Sequence, residues 1–336
     1  MMIILKTTFL IRWSARLLLT SGLAVFLIAA NCSAAVGDDY PNKPIHLIIP
    51  FPPGGAVDIL GRLIGQSLSE QFNQSVIIEN RPGANGNIAM EALAKMPADG
   101  YSLLIGGNGI ATNSLLYPSS TYRMPQDFST IGYVGRAPLI MVVPDQAPYQ
   151  SLGDVIAAAK KNPGAVTFAS AGSGSSAHLG AELLSYATKI ELTHIAYKGG
   201  APAIVDLVGN RVSFMLLDLA QALPQLQTGR LRAIVVGTSE KLDVLPKVPS
   251  MTDAGYPQIE ATVWWGLIGP ANIPEAIANK INAGLNRALT DPAIVKKLTE
   301  FGVTPKPGTI QQFHSYIVSE INKWSEVMKN VKIKDD

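Results

Sequence analysis

The sequence predicts an α/β protein of two similar halves, each repeating an apolar strand, a glycine-rich turn and an amphipathic helix. Three observations carry that expectation. Short apolar runs such as Ile45-His46-Leu47-Ile48-Ile49 alternate with stretches of helical period. Glycine-rich turns follow the strand patterns in both halves, Phe51-Pro52-Pro53-Gly54-Gly55 in one and Ala171-Gly172-Ser173-Gly174-Ser175-Ser176 in the other. A length of 336 residues accommodates about two domains.

Taken in order, residues 45–49 read as a buried strand. Ile59, Leu60, Leu63, Ile64, Leu68 and Phe72 then mark one helix face. Residues 76–79 form a strand, 81–86 a loop, 88–95 a helix and 101–105 a third strand. The second half opens with a strand over 139–143. Ser151 and Asp154 look like a capping box ahead of a helix ending at Lys161. A strand over 166–169 leads through the serine-rich turn to a helix with Leu179, Leu183, Leu184, Ala187 and Ile190 on one face. Strands at 193–197, 212–217 and 231–236, with a helix near 201–208, complete this half. The tail returns to strand at 262–268. It ends on a helix whose apolar stripe is Ile310, Phe313, Ile317, Ile321, Trp324 and Met328. The expected domains are 36–136 plus 238–336, a discontinuous unit, and 137–237. Trp264 and Trp265 are both expected in the core.

Composition excludes several classes. With 47% hydrophobic and 15% charged residues the chain is too apolar for disorder. A formal charge of +2 offers no bulk field for nucleic acid. One cysteine, Cys32, allows neither a disulfide framework nor a cysteine zinc site, and the four histidines form no HxH or HxxxH pair. No cofactor or metal is expected. Lys6, Arg12 and Arg16 precede an apolar run from Leu17 to Ala30, then Asn31-Cys32-Ser33-Ala34-Ala35. This reads as a secretory signal peptide over residues 1–35, because the run is shorter than the roughly 20 residues of a spanning helix. Small Ser33 and Ala35 place cleavage after Ala35. Removing three basic residues takes the formal charge from +2 to −1 and leaves no cysteine, which suits an oxidising compartment. The mature protein is expected to be soluble and exported.

The turns carry the chemistry. In Phe51, Pro53, Gly54, Gly55 and Ala56, prolines fix the strand exit and glycines permit close backbone approach. The helix behind starts with unpartnered amides and a positive dipole end, which favours a carboxylate or phosphate. Asp58 reads either as a loop brace or as a group orienting water or ligand. The matching turn, Gly172, Ser173, Gly174, Ser175 and Ser176, adds hydroxyls to backbone donors. It also fits G-x-G-x-x-A, with Glu191 where a ribose-binding acid would stand, but such spacing is common. His178 reads as a carboxylate donor or as a packed, capping residue. A serine hydrolase elbow, G-x-S-x-G, is absent around Ser173. Tyr197-Lys198-Gly199-Gly200 closes another strand, with Lys198 either a cleft cation or solvated, and Asp218 is a further polar group at a strand end.

Seven segments resemble the substrate-binding proteins of tripartite tricarboxylate transporters, the Bug family of periplasmic receptors. They are YPNKPIHLIIPFPPGGAVDILGR, VIIENRPGANG, PADGYSLLIG, HIAYKGGAPAIVDLVGNRVSF, GRLRAIVV, VPSMTDAGYP and WWGLIGPANIP, in order from residue 40 to residue 274. The resemblance implies a type II periplasmic-binding-protein fold: two α/β domains joined by a two-strand hinge, with ligand in the cleft. It implies that the loops at 51–58 and 171–178 grip a carboxylate, partly through water, with Tyr197, Lys198 and Asp218 near the cleft. It further implies a monomeric receptor in the periplasm, not an enzyme. Such a receptor closes on a small organic acid (a di- or tricarboxylate, an aromatic acid or an amino-acid-like ligand) and delivers it to membrane permease subunits. Asn85 departs from the glycine of many members, and Glu240-Lys241-Leu242 lacks an arginine often found there. An exported receptor serving signalling without a permease, or a serine-loop hydrolase, are the alternatives.

Overall fold

In the computed structural model, which describes residues 40–330, two sheets each carry helices on their faces. The segment read as a signal peptide lies outside the described residues. The first sheet receives β1 (Ile45–Ile49), β2 (Val76–Asn80), β3 (Ser102–Gly106) and β4 (Phe128–Pro138). The connecting elements are α1 (Ala56–Phe72), a single 3-10 turn at Ala84–Gly86, α2 (Asn87–Leu93) and α3 (Gly109–Leu116). The second sheet receives β5 (Ile140–Pro144), β6 (Thr167–Ser170), β7 (Thr193–Ala196), β8 (Phe214–Leu217) and β9 (Leu231–Val236). Its helices are α4 (Leu152–Lys161), α5 (Ser176–Thr188), α6 (Gly200–Val208) and α7 (Leu219–Gln227). The chain then supplies β10 (Thr262–Pro270), α8 (Glu275–Thr290), α9 (Pro292–Glu300), β11 (Thr304–Pro305) and α10 (Ile310–Asn330).

Strand order is β11-β4-β10-β3-β1-β2 in the first sheet and β7-β6-β8-β5-β9 in the second. In the first, β1 runs parallel to both β2 and β3, so its strand-to-helix turn emerges beside theirs at one sheet edge. Helices cover the sheet, and four of the five β1 residues are buried, which is why the strand reads as a continuous apolar run. β10 inserts antiparallel between β3 and β4. The second sheet repeats the plan, with β6 parallel to β7 and β8, and β5 antiparallel to β8 and β9.

The tail helix α10 settles on the first sheet through its stripe, with Phe313, Ile317 and Trp324 buried. A buried carboxylate, Glu320, accepts the indole N–H groups of Trp264 and Trp324, each at 3.2 Å, and pairs with Lys323. Its charge is thus compensated, as a buried ion requires. Ser151 and Asp154 form the capping box at the start of α4.

Only Leu139 separates β4 from β5, and the return passage runs from β9 through irregular chain to β10. Where the two passages meet, three backbone bonds close a ring. Leu139 N–H donates to Ala261 O at 2.9 Å, Gly237 N–H to Leu139 O at 2.7 Å and Ala261 N–H to Gly237 O at 2.7 Å. A Cβ on Gly237 would stand 2.6 Å from Ala261 O and 2.7 Å from Leu139 O, so only glycine fits there.

Several elements escape the periodicity, among them β4, α3, α7 and β11. β4 is an eleven-residue strand whose glycines disguise it. A Cβ on Gly132 would meet Leu285 at 2.7 Å, and one on Gly135 would meet Thr304 O at 2.6 Å, so bare backbone lets α8 and β11 come close. α3 goes unmarked because glycines and asparagines interrupt the apolar run from Leu103 to Leu116, yet Ile110, Ala111 and Leu116 are buried.

Candidate functional site

A cavity of about 560 Å³ opens between the sheets, lined from both. It lies beyond the carboxyl ends of β1, β3 and β8, where strand-to-helix turns leave backbone groups available and open α/β sheets commonly bind ligands. Of the residues singled out from the sequence, Phe51, Pro53, Gly54, Gly55, Ala56, Ser175, Ser176, Lys198 and Asp218 line it. Asp58, Gly172, Ser173, Gly174, His178 and Tyr197 do not. They build the walls instead.

The first turn is braced from behind. Asp58, 4% exposed, accepts the Gly54 N–H at 3.0 Å through Oδ2. Arg62 Nε reaches the same oxygen at 3.0 Å, and Oδ1 accepts Asn80 Nδ2 at 2.9 Å and Arg62 Nη2 at 3.1 Å. Asn80 also donates to Phe51 O at 3.0 Å, tying the turn to β2. Burial alone would raise the Asp58 pKa, but the hydrogen bonds from Arg62, Asn80 and Gly54 outweigh it and hold the carboxyl below 3.8. Of the two readings of Asp58, the brace is the one its contacts match. Because Gly54 spends its amide on Asp58, the donors left for a guest shift along the chain to the start of α1, which has no side-chain cap.

The second turn rests on stacked rings. Gly174 N–H donates to His178 Nδ1 at 3.0 Å, so the ring proton sits on Nε2, which faces Glu182 at 3.6 Å. The His178 ring, 2% exposed, stacks on His194 with centroids 3.8 Å apart, and His194 stacks on Phe168 at 4.8 Å. Ser170 Oγ, 2.7 Å from His194 Nε2, donates to Gly172 O and accepts the Gly172 N–H. Ser175 Oγ caps α5 by accepting the His178 N–H at 3.4 Å. His178 is therefore a packed loop support, and its Nδ1 is occupied by an amide rather than set beside a serine hydroxyl. The two walls touch at this turn. Tyr117 donates its hydroxyl to Ser173 O at 3.3 Å, and Gly174 lies directly against Leu116 and Asn85.

Tyr197 turns away, its hydroxyl donating to Asp206 at 2.7 Å while Arg211 pairs with the same carboxylate. Lys198 stands at the cavity, exposed. Asp218 lines the cavity and caps α7, accepting the Gln221 N–H at 2.9 Å. Burial pushes its pKa up to about 6.

Several lining residues were not singled out. Trp264 and Trp265 are both buried, 1% and 3% exposed, as expected, and Trp265 also lines the cavity from its side of β10. Asn85 holds φ 48°, a left-handed position that glycine or asparagine adopts most readily. Its Nδ2 donates to Asn113 Oδ1 at 3.0 Å. Asn108 Oδ1 accepts the Trp264 N–H at 3.1 Å, securing β10 beside the start of α3. The Gly106-Gly107-Asn108-Gly109 turn repeats the strand–glycine–helix theme of the other two and was legible on that basis. α3 and α6, like α1, begin at the cavity without a side-chain cap.

The model of the tripartite tricarboxylate transporter family receptor matches residues 60–333. Protein BugT of Bordetella pertussis is 35% identical over 315 residues, covering 93% of this chain and 97% of that protein. The structure of an R. palustris protein with adipate matches with a TM-score of 0.84 at 34% identity, over 89% of this chain and all of that one. MatC from Rhodopseudomonas palustris, with bound malate, matches with a TM-score of 0.80 at 29% identity, over 86% of this chain and 99% of that one. With two α/β lobes about a cavity and a family match over most of its length, the chain belongs to the tripartite tricarboxylate transporter family of receptors.

Proposed function

We propose that this chain is an exported solute-binding protein that captures a small organic carboxylate in the cavity and delivers it to a membrane permease. The observation that carries this reading is the convergence of three uncapped helix starts, those of α1, α3 and α6, on one cavity. Their unpartnered amides and positive dipole ends attract an anion without an arginine clamp. Charge-assisted hydrogen bonds contribute roughly 1.5–3 kcal/mol each, so a few of them reach micromolar affinity, about −8 kcal/mol, after ordering costs. The similar structures with adipate and with bound malate support such a guest. The lobes divide as 36–136 plus 238–336 and 137–237, and they close about the bonded ring of Leu139, Gly237 and Ala261. No helix among the described residues is long and apolar enough to cross a membrane.

A thermal-shift screen of the chain from Val36 onward against mono-, di- and tricarboxylates tests the reading. A ligand at 100 times its Kd adds roughly 2.7 kcal/mol, which raises Tm by about 5 °C. A broad panel without a shift would contradict it. Export is tested by sequencing the N-terminus of periplasmic material, expected to begin at Val36. Transport of the identified acid should stop when the permease genes are deleted.

A further inference from the structure

The cavity wall carries opposite charges that are not paired with each other. Among the described residues lining it, Asp218 is the one carboxylate and Lys198 the one ammonium, and no ion pair joins them. Lys198 is exposed, whereas Asp218 is half-buried. The Asp218 carboxylate takes backbone amides at the start of α7, and no cationic side chain meets it. Gln221 stands beside it on the same wall, close against Gly200. A carboxylate drawn partly out of water is costly unless donors surround it. Backbone caps meet part of that need, and the side of Asp218 toward the cavity is left for whatever enters.

We propose that Asp218 selects the guest: it favours acids that carry a hydrogen-bond donor, an ammonium or a hydroxyl, on the skeleton away from the gripped carboxylate. This rests on the carboxylate reading above. The uncapped helix starts hold the anionic end, the apolar side chains of Trp265 and Met215 flank the skeleton, and the donor end meets Asp218. A second carboxylate placed there would face a like charge, which an ionised Asp218 repels. At pH 8 Asp218 is ionised even with its raised pKa of about 6.

The test is calorimetric titration at pH 8 with matched acids of three to six carbons, each length offered unsubstituted, with an amino or hydroxyl group, and as the diacid. The variant is Asp218→Asn, because asparagine caps a helix as well as aspartate and removes only the charge. At the length that binds best, the amino or hydroxy acid should bind at least about tenfold more tightly than the unsubstituted acid and the diacid, about 1.4 kcal/mol. In D218N that ratio should fall to within about twofold, and the diacid should gain affinity because the like charge is gone. A diacid that binds best, or a preference that survives in D218N, overturns the selection by Asp218 and leaves the carboxylate reading standing. No binding by any member overturns both.

Discussion

Asp58 Oδ2 holds the Gly54 amide at 3.0 Å, making an acidic side chain part of the frame of the first turn. The same carboxylate binds Arg62 and Asn80, so one residue fixes the strand exit, the helix start and the neighbouring strand. Asp58→Ala strands these donors, of which the Gly54 amide and Asn80 amide are the least able to find water. The unfolding free energy in urea should fall by about 2–3 kcal/mol, with a matching loss of ligand affinity.

The pH dependence has a definite sign. The folded pKa of Asp58 lies below its ordinary 3.8, so its stabilisation is present above that value and is lost as pH falls through the folded pKa. Asp58→Asn should therefore flatten the acid limb of the stability curve below about pH 4 and leave the slope near neutrality unchanged. A wild-type acid limb retained in D58N would show that Asp58 does not carry the charge argued for it.

Asp218 acts in the opposite sense. Burial raises its pKa to about 6, so the folded state favours the proton. Its contribution is full below about pH 4 and is lost as pH rises to about 6. Measured against Asp218→Asn, which keeps the cap, the ligand-free wild type should lose on the order of 2 kcal/mol between pH 4 and 7. Parallel curves for the two proteins would remove the buried charge from the account.

Gly55 lines the cavity, has an ordinary φ of −81°, and a Cβ there meets nothing within 4 Å. Gly55→Val should fold with an unchanged melting temperature and still fill the space before the helix start. Affinity for the identified acid, read by calorimetry, should drop at least about tenfold. Unaltered affinity would clear the first turn of a binding role.

Gly174 works at the contact between lobes. It holds φ 76° and lies against Leu116 and Asn85. Gly174→Ala puts a Cβ into the Leu116 side chain and disfavours the backbone. The lobes should then stay apart with ligand present, seen as a radius of gyration by X-ray scattering that no longer contracts on binding. Normal contraction would place closure elsewhere.

Much of this architecture was legible because its driving force is local. The β1 run is buried on both sides and needs no alternation, and the Phe313, Ile317 and Trp324 stripe records the face α10 buries. The family resemblance, carried by motifs spread from β1 to β10, agrees with the family match and the fold. What stayed hidden depends on partners distant in sequence. β4 tolerates its glycines only because α8 and β11 lie against them. The tasks of Asp58, His178 and Tyr197 are set by Asn80, His194 and Asp206, and no spacing rule reveals which side chain a neighbour will claim. That Trp265, besides being buried like Trp264, also lines the cavity was open to reading from the two-residue period of its strand.

The most direct measurement is a crystal structure of the chain from Val36 onward with a bound carboxylate. The account predicts an intact acid whose oxygens lie within hydrogen-bond distance of amides at the starts of α1, α3 or α6. An acid held outside the cavity, or one recovered chemically altered, would contradict it.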